Sequence, residues 1–318
     1  LQYNSGGVYN RSQEWIATTG AGYPFNVLVS GNTTLLPGGL ITPTDFRNTA
    51  LNTAGSVTID AGSILNMTNG GTNNMTVPLN VGLDLIINGT LTASGVAGGN
   101  IIVGRNWVRN TGGVFNQNSR FVSFESGNNA TITAPTGIAE TFSDVRINKA
   151  APANTVTLNS PVDVTLSLGL TQGVVVSRLG AAQASPTNLL TLLAGSAYTG
   201  GSFSSYVAGP IRKVGNTGFV FPTGKTVGAE RHYRPIEISA PATTSDHFTA
   251  EFWRENPLNR GGINPAALAD GLSHISRCEY WDLVNSNSSA PVNVTLSWSN
   301  NPTGRSLCNV SDPTFPFV

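Results

Sequence analysis

The chain has 318 residues, 39% hydrophobic and only 11% charged, and its 17 basic and 17 acidic residues balance to a net charge of zero. That balance excludes a general electrostatic pull on nucleic acid or an anionic membrane surface, and there is no run of about 18 apolar residues to span a bilayer. Low charge accompanies disorder when aromatics are scarce, but aromatics make up 8% of this chain. A folded protein with a surface of Asn, Thr, Ser and Gly is expected, a composition suited to short strands and tight turns.

Residues 1–50 alternate poorly. The opening LQYNSGGVYNRSQEW has neither the basic nor the apolar block of a signal peptide and reads as a mature or trimmed terminus. Gly and Pro punctuate this region, with one clear strand at 25–29. Trp15, in a polar Gly-rich segment, is expected to cap or plug the end of a core, because an indole needs something to pack on. From Ser56 the rhythm is regular: VTIDAGSILNM (57–67), LIINGTLTASG (85–95), IIVGRNWV (101–108), FVSFES (121–126), TITA (131–134), VRIN (145–148), VTLNSPVDVTLSLGL (156–170), GVVVS (173–177) and NLLTLLAG (188–195). Each is a short aliphatic or β-branched run bounded by Asn, Gly, Asp or Ser, and none carries helical periodicity. VTIDAGSILNM and VTLNSPVDVTL share a strand, a polar turn and a second strand, and Asn88-Gly89 places the same turn in IINGTLTAS. Short strands and corner turns repeating at roughly 20–25 residues predict a β-solenoid, a parallel β-helix. A β-sandwich with many hairpins would give a similar string; the likeness between rungs favours the solenoid.

The stretch YVAGPIRKVGNTGFVFPTGK (206–225) reads as a hairpin joining two bodies, with Gly209 and Pro210 marking the boundary. Beyond it, YRPIEIS (233–239), HFTAEFW (247–253), EYWDLV (279–284) and VNVTLSWS (292–299) are longer and alternate cleanly, and NPAALADGL (264–272) is the best local helix candidate. The overall expectation is all-β: an N-terminal cap or interaction segment over 1–50, a β-solenoid-like repeat region over 51–205, and a small antiparallel β-sandwich over 206–318. Cys278 and Cys308 are the two cysteines. A disulfide between them is the favoured reading and two buried free thiols the alternative; with no third Cys and no His pair nearby, a zinc site is not expected.

The text YVAGPIRKVGNTGFVFPTGK followed by YRPIEIS, FTAEFW, EYWDL and VTLSW resembles a module of very large secreted surface proteins of Bacteroidota, where similar text precedes a C-terminal sorting domain of the type IX secretion route. The region from NWVRNTGGVFNQNSRFVSFESGNNATITAP through VTLNSPVDVTLSLGLTQGVVV resembles the repeats of those proteins, and the likeness covers most of 85–300. The resemblance implies an extracellular or cell-surface location and carries over no catalytic residue. The chain departs from the pattern in ending at FPFV without a sorting domain, which reads as removal on export or as an incomplete chain.

No enzyme is expected. Asp60, Asp84, Glu125, Glu140, Asp144 and Asp163 are widely separated, whereas polysaccharide-active β-helices need carboxylates clustered in one groove. Asp60 and Asp163 occupy similar places in their rungs and are the best candidate pair, though corner Asp residues commonly cap their own backbone. His232, His247 and His274 accompany no nucleophile motif and read as surface or structural. Arg212-Lys213 and Arg231–Arg234 lie beside Glu230 and Glu237 and read as cross-strand ion pairs. Asn69-Gly70-Gly71-Thr72-Asn73-Asn74 lacks the carboxylates of a calcium loop and reads as a turn, so no metal or cofactor is expected. Several N-x-[ST] triplets, among them Asn32, Asn66, Asn74, Asn88, Asn129 and Asn293, indicate outward amides and hydroxyls rather than glycosylation.

Two function classes remain, with a polysaccharide-active β-helix enzyme a distant third. One is a structural surface protein that polymerises with copies of itself, using the tail residues Phe315, Phe317 and Val318 as a handle unless they fold back onto their own chain. The other is an adhesin or carbohydrate-binding module contacting extracellular glycans, with Trp107, Trp253 and Tyr280 stacking on sugar rings. Alkylation without reductant, followed by mass spectrometry, is expected to leave Cys278 and Cys308 unlabelled and joined. Labelling of both thiols in the native protein would contradict the bridge and the exported reading together.

Overall fold

In the computed structural model the described residues are 1–38, 40–41, 44–71, 73–180, 182, 184–185, 187–260, 276, 278–287 and 291–297. They are nearly all β, forming a parallel β-solenoid of about seven turns with antiparallel sheets in the C-terminal region. The helix expected at 264–272, the cysteine at 308 and the tail residues Phe315, Phe317 and Val318 lie outside the described residues. Among the described residues no helix is long and apolar enough to cross a membrane.

Three faces build the solenoid. The first stacks Gln2–Tyr3, Val27–Val29, Val57–Ile59, Leu85–Ile87, Trp107–Arg109, Ala130–Thr133 and Thr155–Leu158, then residues 173–176 and Ser205–Ala208, every pair parallel. The second stacks Val8–Asn10, Thr34–Leu36, Ile64–Asn66, Thr90–Thr92 and Val114–Asn116. In later turns its position passes to 140–142, 162–164, Leu190–Leu192 and Ile211–Val214. The third stacks Leu51–Thr53, Leu79–Val81, Ile101–Val103, Phe121–Phe124, then 144–148, 167–170 and Ala197–Gly200.

Three-residue strands suffice because alternation sends two side chains in and one out on the first and third faces, and one in and two out on the second. On the first face Val27, Val57, Leu85, Trp107, Ile132 and Leu158 follow one another in register and are all buried. On the third, Leu51, Leu79, Ile101, Val122, Val145 and Leu168 do the same. The outward positions carry amide and hydroxyl ladders: Asn80 Nδ2 donates to Asn52 Oδ1 at 2.7 Å, Asn110 to Asn88 at 2.7 Å, and Asn159 to Thr133 at 3.2 Å.

The parallel stack is longer than 51–205 at both ends. The first 50 residues read as irregular because the third-face position of the first turn is a loop, 11–26, rather than a strand. Trp15 closes the core there, fully buried, its indole N–H on Asn52 O at 2.9 Å. Arg11, also buried, donates to the carbonyls of Trp15, Phe46 and Thr49.

The stretch 206–225 is not a hairpin. Ser205–Ala208 and Ile211–Val214 are successive solenoid strands on two faces, with Gly209 (φ 119°) and Pro210 at the corner between them. The change of hand comes at Ile211–Val214, parallel to Leu190–Leu192 on one edge and antiparallel to His247–Trp253 on the other. His247–Trp253 pairs on with Tyr280–Asn285, and a second antiparallel sheet joins Phe219–Phe221, Ile236–Ile238 and Val294–Leu296. Phe219, Phe221, Ile236, Ile238, Phe248 and Ala250 belong to the same buried cluster as the solenoid interior. The antiparallel sheets therefore cover the end of the solenoid and share its core.

Trp107 is fully buried in the interior, edge-on to Phe115 at 4.7 Å and to Phe142 at 5.2 Å. Trp107→Ala is expected to destabilise the fold by about 3–5 kcal/mol in urea unfolding. A loss under about 1 kcal/mol would place the stabilising contacts elsewhere.

Candidate functional site

The residues singled out from the sequence do not converge. Asp60 follows the first-face strand Val57–Ile59, whereas Asp163 lies within the second-face strand residues 162–164, so the two are on different faces. Register explains the difference: Leu158 stands in the same first-face column as Val57, which matches the corner residue Asp60 with Pro161 rather than with Asp163. Asp163 is half-buried beside Thr191 and Arg212, and burial raises its carboxyl above the usual range. Trp107 and Trp253 are fully buried and offer no face to a sugar. Tyr280 is half-buried, stacked on Trp253 at 6.2 Å, with its hydroxyl donating to Glu255 at 3.0 Å.

The expected basic–acidic pairs rearrange as well. Arg234 pairs with Glu279 at 3.2 Å, Arg231 donates to the carbonyl of Pro152, and Lys213 is buried with its ammonium on the carbonyls of Leu193 and Ser196. His232 is buried 3.4 Å from Glu230, and burial together with Arg254 and Arg234 lowers its pKa. His247 is half-buried in its strand, and His274 lies outside the described residues. Asn69, Gly70 and Gly71 turn the chain with positive φ, Asn69 Oδ1 accepting from Gly38 N–H at 2.9 Å. Among the described residues no three His, Cys, Asp or Glu side chains are grouped to hold a metal ion.

What the structure does assemble is a shallow groove of about 220 Å³ along the corner between the third and first faces, lined by Tyr23, Asn52, Asn80, Ile102 and Glu125 over a floor that includes Gly82 and Gly104. The floor is bare because it must be. A Cβ on Gly82 would stand 2.2 Å from Ala54 O, and one on Gly104 would stand 2.0 Å from Gly82 O. At these two positions the preceding turn approaches too closely for any side chain, whereas the equivalent positions on the flanking turns carry Ala54 and Glu125. Tyr23 reaches the groove because the loop 11–26 is tied down: Trp15 is bonded to Asn52 O, and the carbonyl of Pro24 accepts from Ala54 N–H at 3.1 Å. The outward amides come in register, since Asn52 pairs with Asn80 and Asn80 with Ile102 across the ladder.

Beneath the floor lies Lys149, only 2% exposed. Its ammonium donates to the carbonyls of Gly104, at 3.0 Å, and Glu125, binding together two successive turns. Burial pushes its pKa down to about 8. Sequence reasoning passed over this site because each contributor belongs to a different turn. The available signal was the equal offset of Asn52 and Asn80 from the strand starts Val57 and Leu85.

Comparison with protein-family models, with curated proteins and with solved structures finds no match for the chain.

Because Lys149 titrates lower folded than unfolded, the native state gives up its proton first as pH rises. Between about pH 8 and the ordinary lysine value of 10.5 the unfolded chain binds more protons, so this residue's burial penalty is relieved across that window. The neutral amine still donates to both carbonyls. The stability of the native protein relative to Lys149→Met is expected to rise by on the order of 2–3 kcal/mol between pH 7.5 and pH 10. Equal pH dependence in the two proteins would refute it.

Proposed function

We propose that the chain is an extracellular structural protein of a cell surface, a stiff β-solenoid segment that associates end to end with its own copies. The observation that carries this reading is the state of the two ends. At one end Gln2–Tyr3 and Val8–Asn10 present strand edges without a partner among the described residues, beside Val8 (69% exposed) and Tyr9. At the other end Val294–Leu296 is the outermost strand of its sheet among the described residues, with Val294 and Leu296 exposed. Open edges flanked by apolar side chains are templates for pairing with another chain. A contact between two different ends is heterologous and propagates as a filament where its rotation does not close a ring.

Charge supports the same reading. Arg105–Asp84, Arg109–Glu140, Arg146–Asp144, Arg178–Glu251 and Arg254–Glu279 pair within the molecule, leaving little like-charge repulsion to oppose stacking. The resemblance of the sequence to exported Bacteroidota surface modules agrees with the location.

Light scattering and electron microscopy of the purified chain are expected to show species that lengthen with concentration. Val8→Lys, which sets a charge on the open edge, is expected to shorten them. A monomer at every concentration in native salt would end the polymer reading.

A further inference from the structure

The groove at the third-to-first corner goes beyond a structural role, and we infer that it binds a neutral linear glycan laid along the solenoid axis. Its chemistry is that of carbohydrate recognition. The bond from Asn80 Nδ2 to Asn52 Oδ1 uses one hydrogen of one amide and the oxygen of the other. It leaves Asn52 Nδ2 and Asn80 Oδ1 as adjacent donor and acceptor with no partner among the described residues, a match for two neighbouring sugar hydroxyls. On the next turn Ile102 offers an apolar surface to the C–H face of a ring, and at the head of the groove Tyr23 supplies an aromatic one. At the far end Glu125 accepts from Ser123 Oγ at 2.9 Å through Oε1, leaving its second oxygen as an acceptor for a hydroxyl.

Geometry sets the ligand's direction. The lining residues come from successive turns, and adjacent strands lie about 4.8 Å apart. From Tyr23 through the turns of Asn52, Asn80 and Ile102 to Glu125 is four strand spacings, roughly 19 Å. Contacts repeating at that interval suit a chain of pyranose rings and not a single sugar. The sign of the charge sets the class. Among the described residues Glu125 is the one carboxylate lining the groove and no cation lines it, while the ammonium of Lys149 is held beneath the floor on backbone carbonyls. An acidic polysaccharide would meet Glu125 without a surface counter-charge.

The groove runs along the side of the solenoid from its first turn, so the test is run on dilute protein to keep it independent of polymer formation. Calorimetric titration with cellohexaose and with laminarihexaose is expected to give saturable binding to at least one. Tyr23→Ala and Glu125→Gln are each expected to weaken it at least tenfold, while Phe203→Ala, an exposed aromatic outside the groove, leaves it unchanged. Hydrogen exchange is expected to slow around residues 23–26, 80–83 and 102–105 on adding the bound sugar, a readout that does not require the variants to fold. Absence of binding to both sugars, binding indifferent to Tyr23→Ala and Glu125→Gln, protection elsewhere on the solenoid, or preference for an oligogalacturonate would overturn the inference.

Discussion

The whole structure depends on one constraint: each short strand must find its backbone partners on the turn before and the turn after. A three-residue strand has no hydrogen bonds of its own, so its N–H and C=O groups are satisfied only if successive turns stack in register. Once they do, little is asked of any single turn. It needs two inward residues on the first and third faces, one on the second, and a corner that clears the neighbouring backbone. The buried column Val27, Val57, Leu85, Trp107, Ile132 and Leu158 meets the first demand with residues of very different size. Gly82 and Gly104 meet the second, because their neighbours leave no room for a Cβ. Stability in such a stack is a sum over adjacent turns, which explains why polar ladders such as Asn52–Asn80 recur on the outside where they link one turn to the next.

This constraint also decides what can be read from a single sequence. Fold class was legible because the inward pairs and the Asn or Gly corners repeat locally, as in Val57–Ile59 with Ile64–Asn66 and Leu85–Ile87 with Thr90–Thr92. Trp15 was legible as a plug because an indole in a Gly-rich segment has few other uses. Register was not. Equating Asp60 with Asp163 slipped the alignment by two residues across a corner, and such a slip moves a residue to another face. The hairpin expected at 206–225 failed for a related reason: a parallel corner and an antiparallel turn both begin with Gly-Pro or Asn-Gly punctuation, and only the partner strand tells them apart. The groove was the least legible feature, since Tyr23, Asn80 and Glu125 are brought together by stacking alone.

The sparse charge of the chain becomes intelligible in the same terms. The buried ionic groups sit where the regular stack is interrupted. Arg11 ties the loop that replaces the third-face strand in the first turn. Arg109 and the buried Glu140 meet at 2.7 Å where the second face passes from Val114–Asn116 to residues 140–142. Lys149 spans two turns at the end of the long strand Glu140–Asn148. Arg178, stacked over Trp253 at 4.7 Å, holds Glu251 at 2.6 Å where parallel pairing gives way to antiparallel. A buried ion pair contributes little net stability against an apolar pair of the same volume, but breaking one by removing a partner is costly. Buried ionic contacts therefore select one geometry at junctions that hydrophobic burial alone would leave loose, while the pairs on the regular turns, Arg105–Asp84 and Arg146–Asp144, keep their arginines at the surface. The neutral, amide-rich exterior is the complement of that division: the described ionic pairs are largely committed to internal joints, and the side of the solenoid is left to hydroxyls, amides and a few aromatic rings.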